Sequence, residues 1–244
     1  MNDVVIKFEL VSKSYPLYYH FTGGIKKFLF HLPQAIRSLR HSRFEALKDI
    51  SFEVRRGETF GIIGKNGAGK STVLGLIAGI LKPSAGTVSI MGRIVPLLEL
   101  GSGFHPELSG RENILLNGIL LGMTKKQVLS KLDEIIKFSD LGQFIEQPIR
   151  TYSSGMLARL GFSVVAHLDY EIMLIDEILA VGDIAFQKKC YDSFKSFKKN
   201  GRTIVFVSHD LSAVEKFCDK VVLLEKGSVR TAGRPKDVLD LYVK

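Results

Sequence analysis

Residues 59–81 read TFGIIGKNGAGKSTVLGLIAGIL, and this stretch decides the fold. TFGII suits a buried strand, STVLGLIAGIL suits a helix, and a glycine-rich turn joins the two. In that turn Gly64, Lys65, Asn66, Gly67, Ala68, Gly69, Lys70 and Ser71 match G-x-x-x-x-G-K-[ST], with Thr72 following. The residue types follow from the chemistry of a phosphate cradle. Glycines let the backbone curl so that successive N–H groups face one cluster of anionic oxygens, and the helix N-terminus adds its dipole. Lys70 is a compact positive charge within reach of the outer phosphates of a nucleotide, and the Ser71 hydroxyl can ligate Mg²⁺.

Downstream, two further apolar runs look like strands of the same sheet. Ile172-Met173-Leu174-Ile175 ends in Asp176-Glu177, and Thr203 to Val207 ends in Ser208-His209-Asp210. At the carboxyl end of a parallel strand Asp176 would lie beside the phosphate loop, where it can hold Mg²⁺ directly or through water. Glu177 can then polarise the attacking water as a general base. His209 can donate a hydrogen bond to a terminal phosphate.

Around these motifs, Val4–Leu10 and Leu47–Val54 read as strands, with apolar residues partly alternating with polar ones. Residues 110–168 read mainly as helices, too many for a simple crossover, so they are expected to form a helical subdomain. KVVLLEKGSV (220–229) reads as one more strand, leading to a short helix, PKDVLDLYV (235–243). Strands that alternate with helices and are apolar on both faces argue for a mostly parallel sheet covered by helices.

Composition narrows the function classes. The 244 residues fit one large domain or two small ones, and 34 basic against 25 acidic residues give a net charge of +9. No stretch approaches the roughly 18 uninterrupted apolar residues of a spanning helix, and the first residues lack the pattern of a secretory signal. Cys190 and Cys218 give neither a disulfide framework nor metal-ligand spacing and read as ordinary buried thiols. About 17–43 is a separate piece, an insert with five Lys/Arg, five aromatic residues and no Asp or Glu. Such a stretch suits an anionic membrane face or a pyrophosphate-linked lipid, and a solvated loop with a short helix is the bland alternative.

Taken together, these residues resemble the ATP-binding subunit of ABC transporters. Tyr152-Ser153-Ser154-Gly155-Met156 lies where that family places its signature LSGGQ; Ser153 and Gly155 match outright, Ser154 and Met156 do not. Asp183 falls at the family's D-loop aspartate. More narrowly, the chain is similar to the polysaccharide-export branch: O-antigen, capsule and wall teichoic acid exporters. Three features carry this: LLELGSGFHPELSGRENI (97–114), in which Glu99 stands where most members have the Q-loop glutamine; the degenerate signature; and the insert after Ser14-Tyr15-Pro16.

The resemblance implies an α/β P-loop NTPase, a single ABC nucleotide-binding domain over 1–244 with a RecA-like core, an antiparallel β-subdomain, and a Q-loop and helical subdomain over about 100–168. A C-terminal carbohydrate-binding domain is not expected. It implies ATP and Mg²⁺ as cofactors, with Ser71, Glu99 and Asp176 as metal candidates and Tyr15 stacking on adenine; Phe44 competes for that role. It implies a head-to-tail homodimer in which Lys70, Ser71, Glu99, Asp176, Glu177 and His209 of one copy meet Ser153 and Gly155 of the other. The expected partners are two copies of a separate transmembrane permease and an anionic lipid or lipid-linked glycan near the insert, with no nucleic acid. The expected place is the cytoplasmic face of the inner membrane, peripherally. The rival readings are a soluble ABC-type ATPase acting on nucleic acid or ribosomes, and a nucleotide-binding regulatory module.

Overall fold

The computed structural model describes residues 3–16, 43–97, 101, 103–176 and 183–243. Residues 17–42 of the insert, Glu99 and Glu177 lie outside the described residues.

In chain order the elements are β1 (Val4–Pro16), β2 (Arg43–Arg55), β3 (Thr59–Ile63), α1 (Lys70–Ile77), β4 (Ala85–Ile90), β5 (Ile94–Leu97), α2 (Gly110–Leu120) and α3 (Lys125–Ser139). Two short 3₁₀ turns, Gly142–Glu146 and Ile149–Thr151, lead into α4 (Ser154–Ala166). There follow β6 (Ile172–Asp176), α5 (Ile184–Lys199), β7 (Thr203–Val207), α6 (Leu211–Phe217), β8 (Lys220–Glu225), β9 (Ser228–Gly233) and α7 (Pro235–Val243).

The strands make two sheets. A six-stranded sheet has the order β5-β6-β7-β3-β8-β9, parallel throughout except for β9, which pairs antiparallel with β8. A three-stranded antiparallel sheet has the order β2-β1-β4. The parallel sheet is buried on both faces. Phe60, Ile62, Leu174 and Val205 join one core with β1, β2 and α1; Ile63, Ile175 and Phe206 join the other with the helices that follow α1. The two sheets are fastened by a ladder of rings: Phe8 stacks on Phe52 at 4.4 Å, and Phe52 on Phe60 at 5.2 Å. Offset rings at this spacing add to the area they bury.

The structure departs from the sequence expectations in four places. KVVLLEKGSV is two strands, not one. Lys226 and Gly227 both take positive φ (49° and 80°), the two-residue turn that reverses a chain between antiparallel strands. The helix after the phosphate loop stops at Ile77, because Gly79 turns left-handed (φ 72°). Strands β1 and β2 run longer than their apolar cores, to Pro16 and from Arg43. Finally, β4 and β5 carried no clear apolar pattern; β4 lies on the edge of its sheet with most of its residues exposed.

Helices α2 and α3 each begin with a capping box, Ser109 with Glu112 and Thr124 with Gln127. Asn113 on α2 is fully buried and satisfied. Its side chain donates to the carbonyls of His105, Leu108 and Ser109 at 2.9–3.1 Å and accepts from His105 N–H at 2.7 Å. One side chain thereby fixes the approach to the helical unit.

Candidate functional site

Strand β3 delivers the chain to Gly64, and α1 begins at Lys70. Gly69 is the cap residue, at φ 106°; a Cβ there would stand 2.6 Å from Leu47 Cδ2 and 2.9 Å from the Ala46 carbonyl, so only glycine fits. No side chain caps α1 and no acid occupies its first turn, which leaves the positive end of its dipole open to an anion. The Lys70 ammonium folds back over the loop, donating to the carbonyls of Gly64 at 2.9 Å and Lys65 at 3.2 Å, and the residue is only 8% exposed. The loop is tied to the β8–β9 turn as well, since Gly227 N–H donates to the Ala68 carbonyl at 3.2 Å.

Strands β3, β7 and β6 are neighbours, and their carboxyl ends bring the distant motifs together. Asn66, Gly67, Gly69, Lys70, Ser71, Thr72, Asp176 and His209 line one cavity of about 400 Å³, with Tyr15, Phe44 and Ala46 on its wall. Lys65 and Ala68 line a different cavity of about 570 Å³ beside Lys226 and Tyr242, and Gly64 acts through its carbonyl contact to Lys70. The Ser71 hydroxyl and the Asp176 carboxylate are hard oxygen donors on one cavity, which fits Mg²⁺ held by few protein ligands and completed by water and phosphate. Among the described residues no cluster of three or more His, Cys, Asp or Glu could hold a metal alone.

Ser153, Gly155 and Asp183 lie elsewhere. Ser153 caps α4, accepting from Met156 N–H at 3.2 Å, and Asp183 caps α5, accepting from Phe186 N–H at 2.9 Å. Both border a second cavity of about 510 Å³ with Ser154, Gly155, Met156 and Arg159. Arg159 bridges the two helices: its guanidinium pairs with Asp183, lies 4.0 Å from Asp140 and stands over the Phe186 ring at 5.3 Å. The Phe186 N–H, with help from Arg159, holds the Asp183 carboxyl below the usual carboxylate range. A Cβ on Gly155 would meet only Ser153 Oγ, at 3.8 Å, so nothing among the described residues demands glycine there.

Two residues escaped the sequence reading. Arg159 carried one signal, its position four residues after Gly155 on a helix, which puts both on one face. Tyr152 is buried at 8% exposure and donates its hydroxyl to the Phe144 carbonyl at 2.5 Å, anchoring the turn that presents Ser153.

The phosphate-loop residues and the Ser153 group therefore occupy separate cavities of one chain, with no lining residue in common. Comparison with known proteins gives these two surfaces a context. A family model described as ABC transporter matches residues 47–180. The O-antigen export system ATP-binding protein RfbB of Klebsiella pneumoniae is 53% identical over 98% of this chain and 97% of its own length. The teichoic acids export ATP-binding protein TagH of Bacillus anthracis is 45% identical over 97% of this chain, which spans 42% of that protein. Among solved structures, the dimeric ATP-binding cassette MJ0796 in a post-hydrolysis state with ADP and Pi aligns at a TM-score of 0.73, over 94% of this chain and 98% of its own, with 21% identity.

Proposed function

This chain belongs to the ABC transporter family, and from that premise we propose that it is the ATP-hydrolysing subunit of a polysaccharide exporter, working as a head-to-tail pair. The observation that carries the pairing is the separation of the two cavities. A triphosphate seated on the loop of one copy leaves its terminal phosphate facing outward, and the Ser153–Gly155 tip at the head of α4 in a second copy supplies what the first lacks. The open space at Gly155 supports this, because a glycine that no described residue of its own chain requires suits close approach by another body.

The roles follow from charge and position. The loop N–H groups and Lys70 hold the phosphates. Ser71 and Asp176 would hold Mg²⁺, with Glu99 as a further candidate ligand, and the ion would supply charge neutralisation on the phosphate oxygens. Glu177 takes a proton from the attacking water, and His209 donates to the terminal phosphate as charge moves onto the leaving oxygen. Ser153 and Gly155 of the second copy close the site, and Asp183 at the head of α5 borders the same junction. Tyr15 stacks on adenine.

Among the described residues no helix is long and apolar enough to cross a membrane, so the export path belongs to separate membrane subunits, two per pair. Closure on ATP and reopening after hydrolysis reach those subunits only through contacts that differ between the two states. Two relatives named for O-antigen export that are matched over nearly their whole length support a lipid-linked glycan as cargo. Peripheral placement at the inner face of the membrane, with the basic insert against anionic lipid or the glycan's phosphate linkage, completes the reading.

The test is the molar mass in solution of the Glu177→Gln protein with ATP and Mg²⁺. Without the base, nucleotide should persist in the site and light scattering should read twice the protomer mass; a protomer mass at saturating ATP would overturn the pairing.

A further inference from the structure

Between the parallel sheet and helices α5 and α6 lies a cavity of about 190 Å³ that borders none of the residues assigned to the nucleotide. Its walls are apolar and largely aromatic: Ile175, Ile204, Phe194, Phe206 and Phe217. Lysines 195, 198 and 216 stand along it, and Thr59, at the head of β3, completes the lining.

Three observations make it more than a packing gap. The first is size. An apolar cavity of about 150 Å³ stays dry and accepts a benzene ring, so this one has room for a ring and a small substituent. The second is Thr59, which is 3% exposed and whose Oγ1 is buried without a hydrogen-bond partner among the described residues. Native structures leave few such groups, and each asks for a polar atom nearby.

The third observation is charge. Lys198 is paired with Asp219 at 2.7 Å, and Lys195 lies 3.6 Å from Asp192. Lys216 makes no ion pair among the described residues; its ammonium lies 5.8 Å from the centre of the Phe217 ring. An aromatic chamber with a buried, unsatisfied hydroxyl in its wall and an ammonium outside any ion pair among the described residues beside it describes one class of ligand.

We propose that this cavity binds a small hydroxylated aromatic monocarboxylate. The ring packs among Phe194, Phe206 and Phe217 in edge or offset contact. The carboxylate pairs with Lys216, and the ring oxygen accepts a hydrogen bond from the Thr59 hydroxyl. The ligand would touch Ile175, next to Asp176 on β6, and Phe206 on the strand that leads to His209. It would thus contact two of the strands that carry the nucleotide site, from the opposite side of their side chains.

The experiment titrates the full chain, with ¹³C-methyl-labelled isoleucine, against para-hydroxybenzoate, benzoate and benzyl alcohol. The Ile175 and Ile204 methyl signals should shift saturably with both carboxylates, and benzyl alcohol should bind at least about fivefold more weakly. Lys216→Gln should abolish that preference for the anion. Thr59→Val, close to isosteric, should weaken para-hydroxybenzoate about three- to tenfold and leave benzoate unchanged. Neither substitution touches the residues assigned to ATP, so turnover serves as the check that both variants fold. Absence of saturable shifts at these two isoleucines, or an alcohol that binds as tightly as the carboxylates, would overturn the site. Equal losses for both carboxylates in Thr59→Val would overturn the role of its hydroxyl.

Discussion

Tyr15 and Phe44 stand opposite each other in the β1–β2 register, and both border the cavity that holds the phosphate loop. The two candidates for adenine stacking are therefore neighbours on one wall. Lys13 steadies the Tyr15 ring from 5.2 Å, whereas Phe44 is 52% exposed. Stacking of a base on an aromatic side chain is worth about 1–3 kcal/mol by alanine substitution. Tyr15→Ala should weaken ATP by about fivefold to a hundredfold on that scale, leave inorganic tripolyphosphate unchanged, and exceed the effect of Phe44→Ala. Calorimetric titration with both ligands reads this directly. An equal loss for tripolyphosphate would mean that the substitution damages the loop rather than the base contact.

Asp183 gives the fold a pH signature. Its carboxyl is depressed in the folded chain by the Phe186 N–H and by Arg159, while in the unfolded chain it titrates near about 3.9. A depressed folded value means that the stabilisation is fully present above the unfolded value and fades as pH falls through the folded one. Asp183→Asn keeps a capping oxygen but loses the charge. The stability gap between native protein and variant, from urea unfolding, should stay constant from neutral pH down to about pH 5 and shrink below about 4. A gap that widens on acidification would contradict the assignment.

Both thiols should be inert. Cys190 and Cys218 are buried, at 1% and 7% exposure, and burial pushes each up to about 12. At pH 8 only about one molecule in ten thousand would carry the reactive thiolate. Native protein should leave an aromatic disulfide reagent unconsumed over minutes, and denatured protein should consume two equivalents. Fast reaction of either thiol in the native state would show that its cover opens readily.

The insert is tested by its charge. Changing Lys26, Lys27, Arg37 and Arg40 together to glutamine should reduce binding to anionic vesicles at least about tenfold, since each basic residue near such a surface contributes about 1 kcal/mol. ATP turnover without membrane should be unaffected. Loss of both together would mark the segment as part of the domain's packing.

The glycine loop was legible in sequence because its geometry is local. A curled backbone, an exposed helix N-terminus and a cation must lie within a few residues, so glycines and Lys70 appear at fixed spacing. The shared cavity of Asp176 and His209 was legible one step further, since each follows an apolar run and parallel strands present the same end to one side of the sheet. Relationships between distant segments were harder. The ion pair between Arg159 and Asp183 joins two helices that only the fold brings together, and the Tyr152 hydroxyl contact to Phe144 leaves no trace in a pattern of apolar residues. The hairpin at Lys226-Gly227 was hidden because both of its strands are rich in apolar or β-branched residues, and a lysine at positive φ is uncommon. The choice between Tyr15 and Phe44 stayed open for a different reason: the insert lies between them in sequence, and the β1–β2 pairing makes them neighbours.

The central claim is that each working site draws on two copies, and mixing two dead variants tests it most directly. Lys70→Ala loses the phosphate contact on its own loop; Ser153→Asp keeps the α4 cap but sets a negative charge where the partner's phosphate should lie. Neither should turn over ATP alone. Mixed in equal amounts, half of the pairs hold one intact loop opposite one intact serine, so about a quarter of native activity should return. If the mixture stays as inactive as its components while size measurements show that the two variants pair, the two-copy site is wrong.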